Sequence, residues 1–168
     1  MATHRIPILG WNTTPDDGGD VFFEPYSIKA TNDQWKHLVL IYNDTSARDV
    51  CYGVFDVPQN YVDSANIIVH WTSTATAGDV EWDFDYRAVG GDDSESLDQA
   101  GTQESVNAAD DAPSAAHERM TCTLALTDGN FAAGDTVEFL LARDGTDGGD
   151  TMSAAAIVFA VLFEYADA

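Results

Sequence analysis

The chain is 168 residues long, enough for one domain with a real core, and 45% of it is hydrophobic, which excludes a disordered polypeptide. Seven Lys and Arg stand against 29 Asp and Glu, a formal charge of −22. A surface of that sign repels phosphate backbones and anionic head groups, so nucleic acid and membrane are set aside as partners. It favours solubility in salty water, where screening relieves self-repulsion.

In chain order, residues 1–19 read as an N-terminal arm. Ile6, Ile8, Leu9 and Trp11 make a small apolar patch there, and Pro7 blocks helix and discourages a central strand. Two readings stand for the arm: it folds back as an edge strand, or it reaches onto a neighbouring subunit. A loop by composition, Pro15 to Asp20, follows. Met1 leads into a polar stretch with no apolar signal region, so no secretory leader is expected.

Residues 20–168 read as one domain of short strands. Val21-Phe22-Phe23 and Ser27-Ile28 flank Pro25 as a broken edge strand. Leu38 to Tyr42 is apolar on both parities, and Val50 to Val57 stops at Pro58. Ile67, Val69 and Trp71 share a face with His70 opposite. The cleanest alternation is Val80 to Arg87, with Trp82, Phe84 and Tyr86 on one side and Glu81, Asp83 and Asp85 on the other, a half-buried strand with a solvated acidic face. Met120 to Leu126 and Val137 to Leu141 are the next two. The last, Ala154 to Tyr165, has Ile157, Phe159, Val161, Phe163 and Tyr165 on one parity and Val158, Ala160 and Leu162 on the other. A strand apolar on both faces belongs at the centre of a sheet whose outer face is covered, for instance by another subunit. It is too short to span a membrane as a helix and ends in Glu164. Eight strands joined by turns such as Thr127-Asp128-Gly129-Asn130 and Asp144-Gly145, with no amphipathic helix, predict an all-β, eight-stranded antiparallel jelly-roll sandwich. Residues 88–118, rich in Gly, Asp, Ser, Ala and Gln, are the exception and read as one long loop, with a turn or two of helix at Ser94 to Ala100.

Chemistry-bearing constellations are sparse. The loop Asp144 to Asp150 offers oxygen ligands and glycines of the kind calcium takes, but its spacing is not that of an EF-hand, and a hairpin loop explains it equally well. His4, His37, His70 and His117 lack zinc spacing, and Cys51 and Cys122 lie in apolar runs as small hydrophobes, with no disulfide framework implied. No nucleophile elbow occurs, and pairs such as Glu81 and Asp83 arise by chance in so acidic a chain, so neither catalytic residue nor cofactor is assigned. Trp71 and Trp82 belong to core faces, whereas Trp35 lies in the polar segment Asn32 to Lys36 and is the tryptophan expected to be exposed.

Several segments taken together carry a resemblance. Phe55-Asp56-Val57-Pro58-Gln59-Asn60-Tyr61 precedes a strand ending in Trp71. Gly78-Asp79-Val80-Glu81-Trp82 opens the next. Phe139 to Asp144 leads through the Asp/Gly loop to Asp150-Thr151, and the closing strand ends in Glu164-Tyr165. From residue 20 to 166 the series resembles the small single-domain jelly-roll virion proteins of tailed bacteriophages, of capsid decoration (cement) type. The resemblance implies a non-enzymatic structural protein on the capsid surface of the virion. Such a protein assembles as a homotrimer, binds the major capsid protein and uses no cofactor. Ile6, Ile8, Leu9 and Trp11 are then the expected partner contacts. The alternative is a carbohydrate- or receptor-binding jelly-roll module of a tail or fibre, with exposed aromatics such as Trp35 in a groove. A third reading, a glycosidase, requires two carboxylates across a cleft.

Overall fold

A computed structural model describes residues 1–8, 10–12, 21–26, 36–90, 96–98 and 104–168. Eleven strands are described: β1 Thr3–Pro7, β2 Gly10–Asn12, β3 Val21–Tyr26, β4 His37–Tyr42, β5 Arg48–Asp56, β6 Asp63–Thr72, β7 Asp79–Val89, β8 Glu104–Asp111, β9 Met120–Ala125, β10 Thr136–Asp144 and β11 Ala156–Ala166. They form two antiparallel sheets. The first runs β3-β4-β11-β6-β9, with β1 pairing the C-terminal half of β11, and the second runs β2-β5-β10-β7-β8. The architecture is the expected all-β sandwich.

The eight predicted strands are present, except that Ser27-Ile28 of the broken edge strand lie outside the described residues, and three more strands correct the count. Two come from the arm. Residues Thr3–Pro7 pair with Ala166–Leu162 in the first sheet, and Gly10–Asn12 pair with Val54–Tyr52 in the second, so the arm passes from one sheet to the other. The third, β8, lies inside the stretch read as a long loop. Its exposure alternates strictly along the strand, with Val106 and Ala108 inward, but the inward side chains are so small that the period is faint in the sequence. The helical turns expected at 94–100 fall largely outside the described residues.

The inner faces of the sheets close on an aromatic core. Phe163 of β11 is fully buried, with ring centroids 4.9 Å from Phe55, 5.7 Å from Tyr165 and 6.1 Å from Phe131. Trp71 and Trp82 meet edge to face at 5.9 Å, and Tyr42 meets Trp82 the same way at 5.3 Å. These separations are those at which the ring quadrupoles attract. Cys51 and Cys122 are buried free thiols in this core, and burial raises the Cys122 thiol to about 12.

β11 departs from its expected parity. Its register against β6 slips by one residue between Val158 and Ala160, leaving Phe159 as the extra residue of a bulge. Ahead of the bulge, Ala156 and Val158 face the core; beyond it, Val161, Phe163 and Tyr165 do. Ile157 is therefore turned to the outer face, where it joins Val39 and Ile41 in a separate cluster with Ala155 and Phe159 packed against it. Alternation counted straight through the strand cannot reveal that switch, because a bulge changes the side a residue faces without changing its type.

One buried ion pair holds the end of the sandwich. Arg143, on the inner face of β10, is 1% exposed and grips Asp150 with both arms of its guanidinium, Nε to Oδ2 at 2.8 Å and Nη2 to Oδ1 at 2.7 Å. It also donates to the carbonyls of Met152 (2.6 Å), Ala154 (2.7 Å) and Asn43 (3.4 Å). Asp150 Oδ2 accepts in addition from the Glu81 N–H. The segment between β10 and β11 is thus tied to β10, to the β4–β5 turn and to β7. Thr151 and Met152 both donate backbone N–H groups to the Asp79 carbonyl at 2.9 Å, and the neighbouring Gly78 sits at φ +88° where a Cβ would lie 2.6 Å from the Thr151 oxygen. Asp150→Ala leaves the guanidinium buried with only Asp44, 3.7 Å away and half exposed, as a counter-ion. Its expected cost is about 3–5 kcal/mol, read as a lower urea midpoint at unchanged slope.

Candidate functional site

The residues bearing polar chemistry converge on the outer face of the second sheet. Core-facing side chains of β10 and β7 are Val137, Phe139, Leu141, Val80, Trp82 and Phe84, so the intervening residues point outward. Register arranges them in rows across the strands. One row runs Tyr52, Leu140, Asp85, Ser105, and the next runs Val50, Ala142, Asp83, Asn107. Four strands at the usual spacing make this grid about 14 Å wide.

Arg48 organises the grid. From β5 it crosses β10 and donates Nε to Asp83 Oδ2 and Nη2 to Asp85 Oδ2, both at 2.9 Å. The crossing is feasible because the residue beneath is Ala142, whose small side chain leaves room for the arginine stem. Ala142 and Val50 are buried although they lie outside the inter-sheet core, as residues roofed by that stem should be. Beside this network Tyr52 and Leu140 are half-buried, Val54 is 49% exposed, and Ser105 and Asn107 are exposed. At one end of the face Arg87 pairs with Glu138 and donates to the Leu97 carbonyl at 2.7 Å, which brings residues 96–98 alongside. The result is an apolar strip bordered by fixed donors and acceptors.

Desolvation raises the Asp83 carboxyl even though Arg48 acts to lower it. Glu81 is raised by burial and then by Asp147 and Asp150, and Asp110 by burial despite the hydrogen bond from Trp71 Nε1. Asp83 and Asp85 lie side by side on one strand and share one guanidinium. An acid/base pair for glycoside cleavage instead flanks the bond to be broken.

The other candidates separate from this face. Ile8 is 3% exposed in the inter-sheet core, its N–H bonded to the Val161 carbonyl, and Ile6 packs against the same core. Trp11 lies in β2 opposite Gly53, while Leu9 and Trp35 fall outside the described residues. His4 bonds Asp167 at 2.8 Å and stacks on Tyr165; His37 and His70 flank Phe159 on the outer face of the first sheet. In the 144–150 loop the carboxylates have local work: Asp150 holds Arg143, Asp144 accepts from the N–H and hydroxyl of Thr146, and Asp147 accepts from the Gly149 N–H. Among the described residues no group of three His, Cys, Asp or Glu is placed to hold a metal ion. No described helix is long and apolar enough to cross a membrane. Tyr52 and Arg48 escaped the sequence reading. Tyr52 lies in a strand of uneven alternation, and the reach of Arg48 depends on which strand lies two places away.

No family model and no curated protein matches the sequence. Solved structures do. A CBM35 from Paenibacillus barcinonensis aligns over 97% of this chain and 98% of its own at 11% identity, with a TM-score of 0.51. The fold is a jelly-roll β-sandwich. At that identity the likeness extends to the fold alone. The CBM22-1 xylan-binding domain of Paenibacillus barcinonensis Xyn10C (13% identity, 95% of this chain and 87% of that one, TM-score 0.49) is also similar. So is the family 11 carbohydrate-binding module of Clostridium thermocellum in complex with a β-1,3-1,4-mixed-linked tetrasaccharide (12%, 96% and 94%, 0.47).

The raised carboxyls set a sign for pH dependence. An acid whose folded pKa lies above its unfolded value binds its proton more tightly when folded, so it favours folding in acid and loses that contribution as pH rises through the folded pKa. Asp83, Glu81 and Asp110 all act in this direction. His70, lowered by burial and by Arg119, acts the other way: stability is lost as pH falls below its ordinary value. The contribution of Asp83 is therefore read by difference. Asp83→Asn is expected to remove part of the stability the wild type gains, relative to the variant, on acidification, and a variant whose urea midpoint changes with pH just as the wild type's does contradicts the assignment.

Proposed function

We propose that this chain is a non-catalytic carbohydrate-binding module that takes a saccharide on the outer face of its second sheet. The observation that carries the reading is the Tyr52–Leu140 strip lying beside the Arg48–Asp83–Asp85 network. A sugar ring is amphipathic: its C–H face stacks on an aromatic or aliphatic surface, and its hydroxyls need donors and acceptors at the edge. Tyr52 and Leu140 suit the first requirement. Arg48, the carboxylate oxygens and Asn107 suit the second, and the ion pairs hold the polar groups in place before a ligand arrives, which lowers the ordering cost of binding. The sandwich fold shared with the CBM35 supports the same reading.

A second reading, adhesion within a phage particle as a decoration protein, draws on the half-buried Phe159 and Leu162 on the opposite face, which sugar binding leaves unused. The two readings separate experimentally. Titration calorimetry of the full chain against soluble xylan, mixed-linkage β-glucan, galactan and their oligosaccharides is expected to yield binding with at least one. Tyr52→Ala should weaken it about tenfold or more while the variant still melts cooperatively well above the titration temperature. A blank across the whole set contradicts the module reading, and co-sedimentation of the sugar-blind protein with capsids would favour the second.

A further inference from the structure

The outer face of the first sheet differs in charge from the rest of the molecule. In a chain with 29 Asp and Glu, the outward positions of β4, β11, β6 and β9 hold one carboxylate, Glu164, which Arg5 of β1 neutralises at 2.6 Å; the edge strand β3 adds Glu24, at the register position opposite the outward Val39. On its β4 side Val39, Ile41 and Ile157 are already buried within the chain, so the open part of the face lies over β11, β6 and β9, and its middle is apolar. Phe159, pushed out by the bulge, stands between the rings of His37 and His70 at 6.2 and 6.1 Å, and Ala160 and Leu162 are half-buried beside it. Thr121 and Thr123 of β9 are exposed along one side. Lys36 precedes β4 and Arg119 precedes β9. These two strands run in opposite directions on either side of β11, so the two cations sit at diagonal corners. Neither pairs with a described carboxylate.

We propose that this face docks a second copy of the chain, the same face against the same face about a two-fold axis. Charge selects the occupant. Two molecules of −22 repel each other over most of their surfaces, and the outer face of the second sheet, with Glu81, Asp83, Asp85 and Glu138, is among the most acidic. Contact through the carboxylate-poor faces keeps acid from meeting acid, buries Phe159 and Leu162 of both copies, and turns each corner cation toward the acidic surround of the other. The second sheet stays open on both outer sides, so a dimer presents two saccharide faces pointing apart. The dimer stands or falls independently of the saccharide reading.

The test is sedimentation equilibrium of the full chain at low and high salt. The expected result is a dimer that tightens as salt is raised, because screening removes the long-range repulsion while apolar burial persists. Thr121→Glu, an exposed site on the rim that leaves the core untouched, and Leu162→Glu each place two carboxylates in a symmetric interface. Each is expected to weaken the dimer more than about 30-fold. Ala132→Glu, which adds the same charge away from both sheet faces, should leave it unchanged. A protein that stays monomeric at all salt concentrations overturns the proposal. So does a dimer that loosens with salt, the signature of the basic face docking on an acidic one, and so does a dimer indifferent to Thr121→Glu.

Discussion

The two sheets are held in register at one end by a single buried cation. Arg143 stands on the inner face of β10, the middle strand of the second sheet, and its guanidinium reaches Asp150, Met152, Ala154 and Asn43. Arg is suited to this because its planar fork matches a carboxylate with two parallel bonds and has three further donors for carbonyls. The strand β11 that begins at Ala156 enters the first sheet from a segment fixed in this way, so the clamp on β10 positions the central strand of the opposite layer. A buried pair is no gain over a well-packed apolar core in itself. It ties β10, the β4–β5 turn, β7 and the segment ahead of β11 to one another.

Once the layers are fixed, each outer face acquires its own character. The second sheet places carboxylates on every outward position of β7 from Glu81 to Asp85, and Arg48 converts two of them from a repulsive pair into a bound network over the small Ala142. The first sheet places mostly threonine, histidine and apolar residues outward, with Glu164 neutralised by Arg5, and the bulge at Phe159 brings one aromatic ring among them. A face of ion-paired polar groups and a face with an apolar middle thus lie back to back across one aromatic core.

The fold was legible because strand signals are local. Alternation in Val80 to Arg87, the doubly apolar Ala154 to Tyr165 and the Asp/Gly turns require only a neighbour or two to interpret, and they led to the sandwich and to the position of β11. What was hidden depends on pairing across the sheet. Arg48 and Asp83 are 35 residues apart, and their meeting follows from β5 and β7 flanking the same strand. The strand β8 was hidden because Val106 and Ala108 bury little area, and the sides of β11 were misjudged because one inserted residue reverses the alternation. The salient aromatic residues of the sequence, Trp71 and Trp82, proved to be core, while the aromatic on the candidate face, Tyr52, sits in a strand without a clear period.

The central claim is that the outer face of the second sheet recognises saccharide. Amide chemical-shift mapping of the labelled full chain during titration with the best-binding oligosaccharide tests it most directly. The shifts are expected to concentrate on Arg48 to Val54, Glu81 to Arg87, Ser105 to Ala109 and Glu138 to Ala142, with the outer face of the first sheet silent. Shifts confined to that other face, or to the loops at the end of the sandwich, would contradict it.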